Sequence, residues 1–394
     1  MRMSLPVHLN AAGAALPLQA SQDAILAHMT EEGRLGPHWA AAAATAAIDD
    51  GRAVAARVFG APSSAHVAFG ETATRLWASA FAAMPLSRSA RILVGRCEWG
   101  GNILNALKRA RAADATIEVL PSDRAGRIDV DALEMALDER VAAICIPASS
   151  SGLGVAQPVA EIGRLPRPEH CLLFVDAAQA AGRIPIGLDL WRADVVVAPA
   201  RKWLRGPRGQ AVMALSDRAL STVGDPPLLD QAGSAWVTAD RWETRDDAAR
   251  FESYEFSVAG RLGFGQALAH AERELPTIQP RIAATLQSLQ AALVRLPHVA
   301  VFEDRMDDTA FLTFVCAGEA PSRTLVRLRE EGVAIATVGL GYARLELESR
   351  GLTEVCRVSP HAYTTASDVD HFLETLAVPD AMPATPARRP ARPQ

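Results

Sequence analysis

The sequence lacks the features that mark membrane and nucleic-acid-binding proteins. No run of about 18 apolar residues occurs in it, so no bilayer-spanning helix is predicted. Its formal net charge of −5 leaves no basic excess to attract nucleic acid. The chain has 394 residues, of which 49% are hydrophobic and 22% charged, and this is typical of a globular, enzyme-sized protein with two domains.

Paired cysteines are also missing. The five cysteines have none of the close spacings that bind zinc or form a redox dithiol, which predicts reduced thiols and a cytoplasmic location. They are Cys97, Cys145, Cys171, Cys316 and Cys356.

A secretory signal is not predicted at the beginning of the sequence. Residues 1–20 contain Arg2 and many small residues, but Pro6, His8 and Asn10 interrupt the apolar core that such a signal needs. We interpret residues 1–20 as an ordered arm.

Short apolar runs alternate with helical patterns through residues 21–256. This alternation is typical of a parallel sheet covered by helices, and it predicts an α/β fold whose large domain holds a seven-stranded, mostly parallel sheet. The predicted strands are residues 66–69, 90–94, 117–120, 142–146, 172–175, 195–198 and 210–215. The predicted helices between them are residues 72–83, 101–112, 129–138 and 159–165.

The pattern changes after residue 256. Two long helices, residues 258–275 and 281–296, precede strands mixed with helices, which indicates a smaller α+β domain in residues 257–378. Residues 379–394 are rich in Pro, Ala and Arg without periodicity, so a disordered tail is predicted. The strands predicted in the smaller domain are residues 299–303, 311–316, 333–337 and 355–359, and its helices are residues 322–331 and 366–376.

Two side chains at strand ends suggest a cofactor. Lys202 stands where an apolar strand runs into a turn rich in Gly and Pro, and Asp176 ends the preceding apolar strand. Pyridoxal phosphate needs such a pair, because an amine holds its aldehyde as an imine and an anion keeps its ring nitrogen protonated.

Three motifs resemble the class V aminotransferase family of fold-type I pyridoxal-phosphate enzymes. They are FVDAAQ at residues 174–179, RKWLRGPRG at residues 201–209 and RVSPHAYTT at residues 357–365. Their order along one chain makes the resemblance specific, and it extends from about His8 to Leu376. It implies pyridoxal 5′-phosphate as cofactor and a homodimer whose active sites are shared across the subunit interface.

The resemblance assigns three cofactor contacts at the ring. Lys202 resembles the Schiff-base lysine of the family, and Asp176 resembles the partner of the pyridine nitrogen. Gln179 resembles the group that hydrogen-bonds the phenolic oxygen. A carboxylate buried at the end of a strand holds the pyridinium charged, so the ring absorbs electrons from the α-carbon of the substrate.

The turn at residues 69–74 is predicted to hold the phosphate. Gly70 and Thr72 match the Gly-x-Thr pattern of the family, while Glu71 is an unexpected negative charge that contributes only its amide if the side chain points outward. The amides of a helix N-terminus suit a dianion. Thr72 is also a candidate helix cap, which is compatible with phosphate binding.

Four positions depart from the family pattern. Trp99 is the predicted aromatic ring over the cofactor, and core packing is the alternative role of this tryptophan. It replaces a histidine that takes part in proton transfer in desulfurases. Lys202 is therefore left as the main proton shuttle. Ser151 stands where desulfurases carry asparagine, and it is a predicted cofactor contact near the phenolic oxygen and the substrate. Pro199 and Arg201 replace the usual Ser or Thr and His, so phosphate binding depends on Arg201, the phosphate turn and Ser257 of the partner subunit.

The substrate side points to an α-amino acid. Arg357 resembles the carboxylate-binding arginine of the family, and Asn10 is the second predicted substrate contact. Residues 338–354 contain no cysteine, although cysteine desulfurases carry their persulfide-forming thiol on a loop there, and Cys356 lies inside a predicted strand. Residues 250–263 resemble the branch of isopenicillin-N-epimerase-like and hercynylcysteine-sulfoxide-lyase-like proteins.

These observations predict a carbon–sulfur lyase that cleaves an S-substituted cysteine by β-elimination. An aminotransferase returns the proton to the cofactor's aldehyde carbon and an epimerase returns it to the opposite face of the α-carbon, so both use the same residues and stay open as alternatives. A non-catalytic binding protein on the same fold is the alternative from another class. Lys202, Asp176 and Arg357 argue against it.

Overall fold

The computed structural model describes residues 6–304 and 309–377. The predicted tail at residues 379–394 lies outside the described residues. In chain order the strands are β1 (Val7–His8), β2 (Val67–Gly70), β3 (Arg91–Val94), β4 (Thr116–Val119), β5 (Val141–Pro147), β6 (Leu172–Asp176), β7 (Val195–Pro199), β8 (Ala211–Leu215), β9 (Ser234–Thr238), β10 (Arg241–Thr244), β11 (Val299–Val301), β12 (Leu312–Cys316), β13 (Val333–Ala334), β14 (Ala336–Gly339) and β15 (Glu354–Val358).

Helices fill much of the remaining chain. They are α1 (Gln19–Leu35), α2 (Pro37–Val58), α3 (Ala73–Ala83), α4 (Gly100–Ala113), α5 (Val130–Ala136), α6 (Val159–Arg164), α7 (Leu188–Trp191), α8 (Asp217–Thr222), α9 (Val258–Leu293), α10 (Pro321–Glu330), α11 (Leu340–Glu348) and α12 (Ala366–Ala377). No helix within residues 6–304 and 309–377 combines the length and the apolarity needed to cross a bilayer.

The central sheet has the strand order β2-β8-β7-β6-β5-β3-β4. Strands β7, β6, β5, β3 and β4 run parallel to one another, and β8 is antiparallel to both β7 and β2. The predicted seven-stranded, mostly parallel sheet is therefore confirmed. Its middle strands are continuous apolar runs because α2 and α9 cover one face and α3 and α4 cover the other.

Helices α1 and α2 were not predicted. The run of alanines in α2 shows little apolar periodicity, and only small residues such as Ala40, Ala44 and Ala55 are buried along it. Both helices pack on α9. Small buried side chains let helices approach closely without a strong apolar stripe in the sequence, so the packing partner rather than the pattern determines these helices.

The break predicted between two helices after residue 275 was wrong. One continuous helix, α9, spans the predicted break and contains Pro276 and Pro280. An interior proline costs about 3 kcal/mol because it removes a backbone hydrogen bond. Ile278 and Ile282 are buried on the core of the smaller sheet, and this packing continues on both sides of the prolines.

The smaller sheet is antiparallel with the order β11-β12-β15-β14. The predicted strand at residues 333–337 is two strands, β13 and β14, with Ile335 between them. Strand β1 pairs with β13, and Asn10 forms a bridge with Ser359, so the N-terminal segment lies beside β15. The division of the chain at residue 256 stays a prediction.

Candidate active site

Asp176 and Lys202 meet at the carboxyl edge of the central sheet. Asp176 is the last residue of β6 and pairs in register with Val197 of the adjacent strand β7. Beyond β7 the chain turns sharply, and the amide of Arg205 donates to the carbonyl oxygen of Lys202 at 2.9 Å. Ligands of open α/β sheets bind at the carboxyl ends of strands, where these two side chains lie.

A cavity of about 230 Å³ opens at this edge. It is lined by the predicted residues Asp176, Lys202, Trp99, Thr72 and Arg201. Glu71 and Ser151 belong to its lining as well.

Asp176 and Lys202 are buried groups of opposite charge, and each shifts the pKa of the other. Burial raises the pKa of the Asp176 carboxyl, and the ammonium of Lys202 lowers it. Burial also lowers the pKa of Lys202 to about 7, although Asp176 opposes this shift. The amine of Lys202 is therefore partly neutral near pH 7, the state in which a lysine attacks a carbonyl.

Asp176 is held by two hydrogen bonds. Its Oδ1 accepts from the amide of Ala178 at 2.8 Å, and its Oδ2 accepts from Nδ2 of Asn102 at 3.0 Å. Asn102 Nδ2 also donates to Oε1 of Glu98 at 3.0 Å. Burial and the neighbouring Asp176 raise the pKa of Glu98 to about 8. A buried amide thus bridges two carboxyl groups beneath the cavity.

Trp99 lines the cavity close to Lys202. Lys202 Nζ is 5.8 Å from the centroid of its ring, and Tyr342 of α11 stacks on the indole with ring centroids 5.4 Å apart. The backbone amide of Trp99 donates to Glu98 Oε1 at 2.7 Å. These contacts fix the position of the indole, and its stacking on a cofactor ring stays a prediction.

The predicted phosphate turn joins β2 to α3. Thr72 caps α3, with its side chain accepting from the amide of Arg75 at 3.1 Å, and Glu71 is exposed. A Cβ on Gly70 would lie 2.9 Å from Leu76 Cδ2, so the close packing of the turn favours glycine. Arg201 Nη1 donates to the carbonyl oxygen of Gly13. The amides at the start of α3 and the Arg201 guanidinium suit an anion in the cavity.

Gln179 and Ser257 lie outside the cavity lining. Gln179 is buried, with Oε1 accepting from Trp203 Nε1 at 2.9 Å and Nε2 donating to the carbonyl oxygen of Ala12 at 3.2 Å. Ser257 caps α9 by accepting from the amide of Gly260 at 3.0 Å. The predicted bond from Gln179 to a cofactor oxygen and the predicted role of Ser257 across a dimer interface both stay predictions.

The predicted substrate contacts carry unused hydrogen-bonding capacity. Arg357 of β15 is buried, and its Nη1 donates to the carbonyl oxygen of Ser151 at 3.2 Å, while its Nε has no partner. Within residues 6–304 and 309–377 no carboxylate forms an ion pair with it. Burial lowers the pKa of Arg357 to about 10, with Arg201 adding to the shift. Oδ1 of Asn10 is likewise buried without a partner.

No thiol reaches this site. All five cysteines are free and buried, and none lines the 230 Å³ cavity. Burial raises the pKa of each thiol. Residues 338–354, which lack cysteine, form the end of β14, helix α11 and the start of β15.

A model of the class-V aminotransferase family matches residues 7–372. The chain belongs to the class-V aminotransferase family. A probable hercynylcysteine sulfoxide lyase from Mycobacterium tuberculosis is 29% identical over 381 residues, covering 95% of this chain and 90% of that protein. A probable cysteine desulfurase from Mycolicibacterium paratuberculosis is 29% identical over 357 residues, covering 89% of this chain and 51% of that protein.

Solved structures share the class-V fold. The apo cysteine desulfurase of Thermococcus onnurineus superimposes with a TM-score of 0.86 at 20% identity, covering 94% of each chain. The cystine C-S lyase C-DES, in complex with its reaction product cysteine persulfide, superimposes with a TM-score of 0.84 at 18% identity, covering 94% of this chain and 97% of that chain. A C-DES mutant has glycine covalently linked to the PLP cofactor.

Membership of this family confirms the predicted cofactor, pyridoxal 5′-phosphate. The residues present fit it. Lys202 supplies an amine of lowered pKa, and Asp176 supplies a buried carboxylate for a ring nitrogen. The start of α3 and Arg201 supply donors for a phosphate in the same cavity.

The sequence analysis missed several residues of this class-V site. Asn102, Tyr342 and Glu346 contact predicted site residues or the backbone beside them, and each is far in sequence from at least one partner. Glu98 was missed as well, although it accepts from the adjacent Trp99 and from Asn102. One signal was overlooked. The chain contains only two lysines, Lys202 and Lys108 on α4, and this scarcity already singles out Lys202.

The rate at which the cofactor-free protein captures pyridoxal phosphate is expected to rise with pH through about 7. Only the neutral amine attacks an aldehyde, and burial lowers the pKa of Lys202 to about 7. Stopped-flow absorbance at a series of pH values measures this rate. A midpoint near the ordinary lysine value of about 10.4 would contradict the burial of Lys202.

Proposed function

We propose that this chain is a pyridoxal-phosphate-dependent carbon–sulfur lyase that cleaves an S-substituted cysteine. In a β-elimination the α-carbon loses a proton, the bond from the β-carbon to sulfur breaks, and the sulfur leaves with the electron pair and its other carbon substituent. Water then converts the remaining fragment to pyruvate and ammonia. This chemistry is redox-neutral and needs no protein thiol.

The proposal rests on one observation: the cavity proposed to bind an amino acid has no cysteine in its lining. Lys202 and Asp176 stand together in the cavity, and Arg357 lies behind Ser151 on its wall. The five thiols are buried elsewhere with raised pKa values, so none is available as a thiolate that accepts sulfur from a substrate. A reaction in which sulfur departs with its own substituent fits this arrangement.

The residues of the chain have distinct tasks in the reaction. Bound pyridoxal phosphate withdraws electrons from the α-carbon of an amino acid. Lys202, with a pKa of about 7, is neutral often enough to accept the α-proton and charged often enough to return one. Asp176 supplies the anion opposite a cationic ring nitrogen, and Asn102 orients it. Arg357 holds the carboxylate of the substrate with a guanidinium that has no other anion.

The proposal is tested by incubating purified, cofactor-loaded protein with S-substituted cysteines and their sulfoxides. Pyruvate, ammonia and a released sulfur compound in equal amounts are the expected products. The same protein is offered pairs of amino donors and keto acids, and single enantiomers of amino acids. Amine transfer without pyruvate would identify an aminotransferase, and racemisation without pyruvate an epimerase; either result overturns the lyase.

Replacing Arg357 by lysine is expected to raise the KM for the amino acid about tenfold to a hundredfold, with a smaller change in kcat. A lysine keeps the charge but loses the planar fork that binds a carboxylate through two hydrogen bonds. Steady-state kinetics measure both constants. Arg344→Lys, at an exposed position on α11, is the matched control and should change neither. Equal KM values for Arg357→Lys and the parent would remove Arg357 from the substrate site.

The chain is also proposed to act as a cytoplasmic homodimer. Several large apolar side chains are exposed on the single chain, among them Trp39, Trp236 and Tyr254, with 76%, 82% and 65% exposure. Contact with a second copy of the chain would bury such apolar surfaces in a dimer interface. The five free thiols agree with a reducing compartment. Sedimentation at micromolar concentration should give twice the mass of one chain, and a monomer mass would contradict the dimer.

A further inference from the structure

Helix α11 packs against two parts of the cavity lining, Trp99 and the loop that contains Ser151, and the proposed mechanism gives it no task. Tyr342 near its beginning stacks on Trp99, as described above. Ala343 and Glu346 face the loop at residues 149–154. A Cβ placed on Gly152 of this loop would lie 2.7 Å from Ala343 Cβ and 2.5 Å from Glu346 Oε2. Helix and loop are therefore in direct contact, and only glycine fits between them.

Glu346 binds this loop through two hydrogen bonds. Its Oε2 accepts from Ser150 Oγ at 2.5 Å and from the amide of Leu153 at 3.3 Å. Ser150 Oγ in turn accepts from the amides of Gly152 and Leu153 at 3.1 and 3.2 Å. One carboxylate thus gathers the polar groups on both sides of Ser151.

Ser151 connects these hydrogen bonds to Arg357, the predicted contact of the substrate carboxylate. Its carbonyl oxygen accepts from Arg357 Nη1 at 3.2 Å, and Ser151 also lines the cavity. The position of the Arg357 guanidinium therefore depends on where the loop holds the Ser151 carbonyl. No other hydrogen bond of the Arg357 side chain to a described residue is present.

Glu346 is completely buried, and burying a carboxyl group costs free energy of folding unless hydrogen bonds or charges compensate for it. Burial raises the pKa of its carboxyl, whereas the Ser150 hydroxyl and the guanidinium groups of Arg350 and Arg96 lower it. Around Gly126, Glu346 Oε1 and Nη2 of both arginines lie within 3.3 to 3.6 Å of the position that a Cβ would take. Oε1 itself has no hydrogen-bond partner.

We propose that Glu346 is a positioning residue for Arg357, the predicted contact of the substrate carboxylate. It holds the Ser150–Leu153 loop against α11, so the Ser151 carbonyl orients Arg357 for the carboxylate of the amino acid. This inference rests on the proposed function, because it assigns Glu346 a task in binding the α-amino acid.

The test compares Glu346→Ala with the conservative Glu346→Gln in the cofactor-loaded protein. Glu346→Ala is expected to raise the KM for the S-substituted cysteine about tenfold and to leave kcat within about threefold. Glu346→Gln keeps an oxygen that accepts from Ser150 and Leu153, so it should recover most of the loss. The dissociation constant for pyridoxal phosphate should stay unchanged in both variants, since neither touches the cofactor.

Two further variants separate positioning from folding. Ser150→Ala removes the hydroxyl from the other side of the contact, and a several-fold rise in KM is expected even if Glu346→Ala does not fold. Glu348→Ala lies on the exposed side of α11, where it removes only a surface pair with Arg344, and should match the parent.

Several outcomes would overturn the inference. Unchanged KM in both Glu346→Ala and Ser150→Ala, or a fall in kcat together with weaker cofactor binding, would show that Glu346 does not act through Arg357. Failure of the proposed function is distinguishable, because the parent would then release no pyruvate. Spectral titration of the bound cofactor with an amino acid still measures the effect of each variant on substrate binding.

Discussion

Replacing Lys202 by alanine is expected to lower turnover of an S-substituted cysteine by at least about a thousandfold. Lys202 is buried at the carboxyl edge of the central sheet, and it lines the cavity together with Asp176. It supplies both the amine that holds the cofactor and the group that moves the α-proton. Within residues 6–304 and 309–377 the cavity is lined by no second lysine, so no other amine there takes over either task.

The small number of lysines makes this prediction easy to control. Lys108, the other lysine of the chain, is exposed on α4, and Lys108→Ala should match the parent in turnover and in the visible spectrum of the bound cofactor. Borohydride reduction of the loaded protein, followed by peptide mass spectrometry, should place the cofactor on Lys202. Label on Lys108, or normal turnover by Lys202→Ala, would refute the assignment of the site.

Replacing Asp176 by asparagine is expected to lower kcat by about a hundredfold or more. The amide has almost the same shape as the carboxylate, but it has no charge with which to keep a ring nitrogen protonated. Asp176 also raises the pKa of Lys202, so the midpoint for cofactor capture should move below about 7 in Asp176→Asn. The direction follows because removing an anion disfavours the ammonium form of a buried lysine.

Asp194 provides the matched control for Asp176. It is also buried, but it forms an ion pair with Arg167 at 3.0 Å and accepts from the amide of Leu173. Asp194→Asn should lower the melting temperature and leave kcat and the capture midpoint unchanged. If Asp176→Asn behaved like Asp194→Asn, the role of Asp176 would be structural only.

The central sheet could be predicted from the sequence because it is buried on both faces. Strands such as β5, with all of its residues buried, are continuous apolar runs that stand out against their surroundings. Helices α1 and α2 and the hairpin of β9 and β10 could not be predicted in the same way. Their sequences lack a strong apolar period. Helices α1 and α2 pack on the distant helix α9, whereas β9 pairs with β10 and is mostly exposed.

The candidate site divides along similar lines. Lys202 and Asp176 were predictable because each follows an apolar strand, and neighbouring parallel strands bring their carboxyl ends together. Asn102 and Glu346 were not predictable, since an amide on α4 and a carboxyl on α11 become part of the site only when their helices pack against it. The partners of Gln179 were missed for the same reason, because Trp203 and Ala12 reach it from separate segments.

The sequence by itself determined the kind of chemistry, since lysine, aspartate and arginine at strand ends are the groups that a pyridoxal-phosphate enzyme uses. It also determined the family and the order of the central strands along the chain. Only the tertiary structure decided which amine is neutral, which carboxyl is bridged and which loop is held by Glu346. The reason is physical: burial shifts a pKa and an oriented hydrogen bond forms only between groups in contact, and folding alone sets both for residues far apart in sequence.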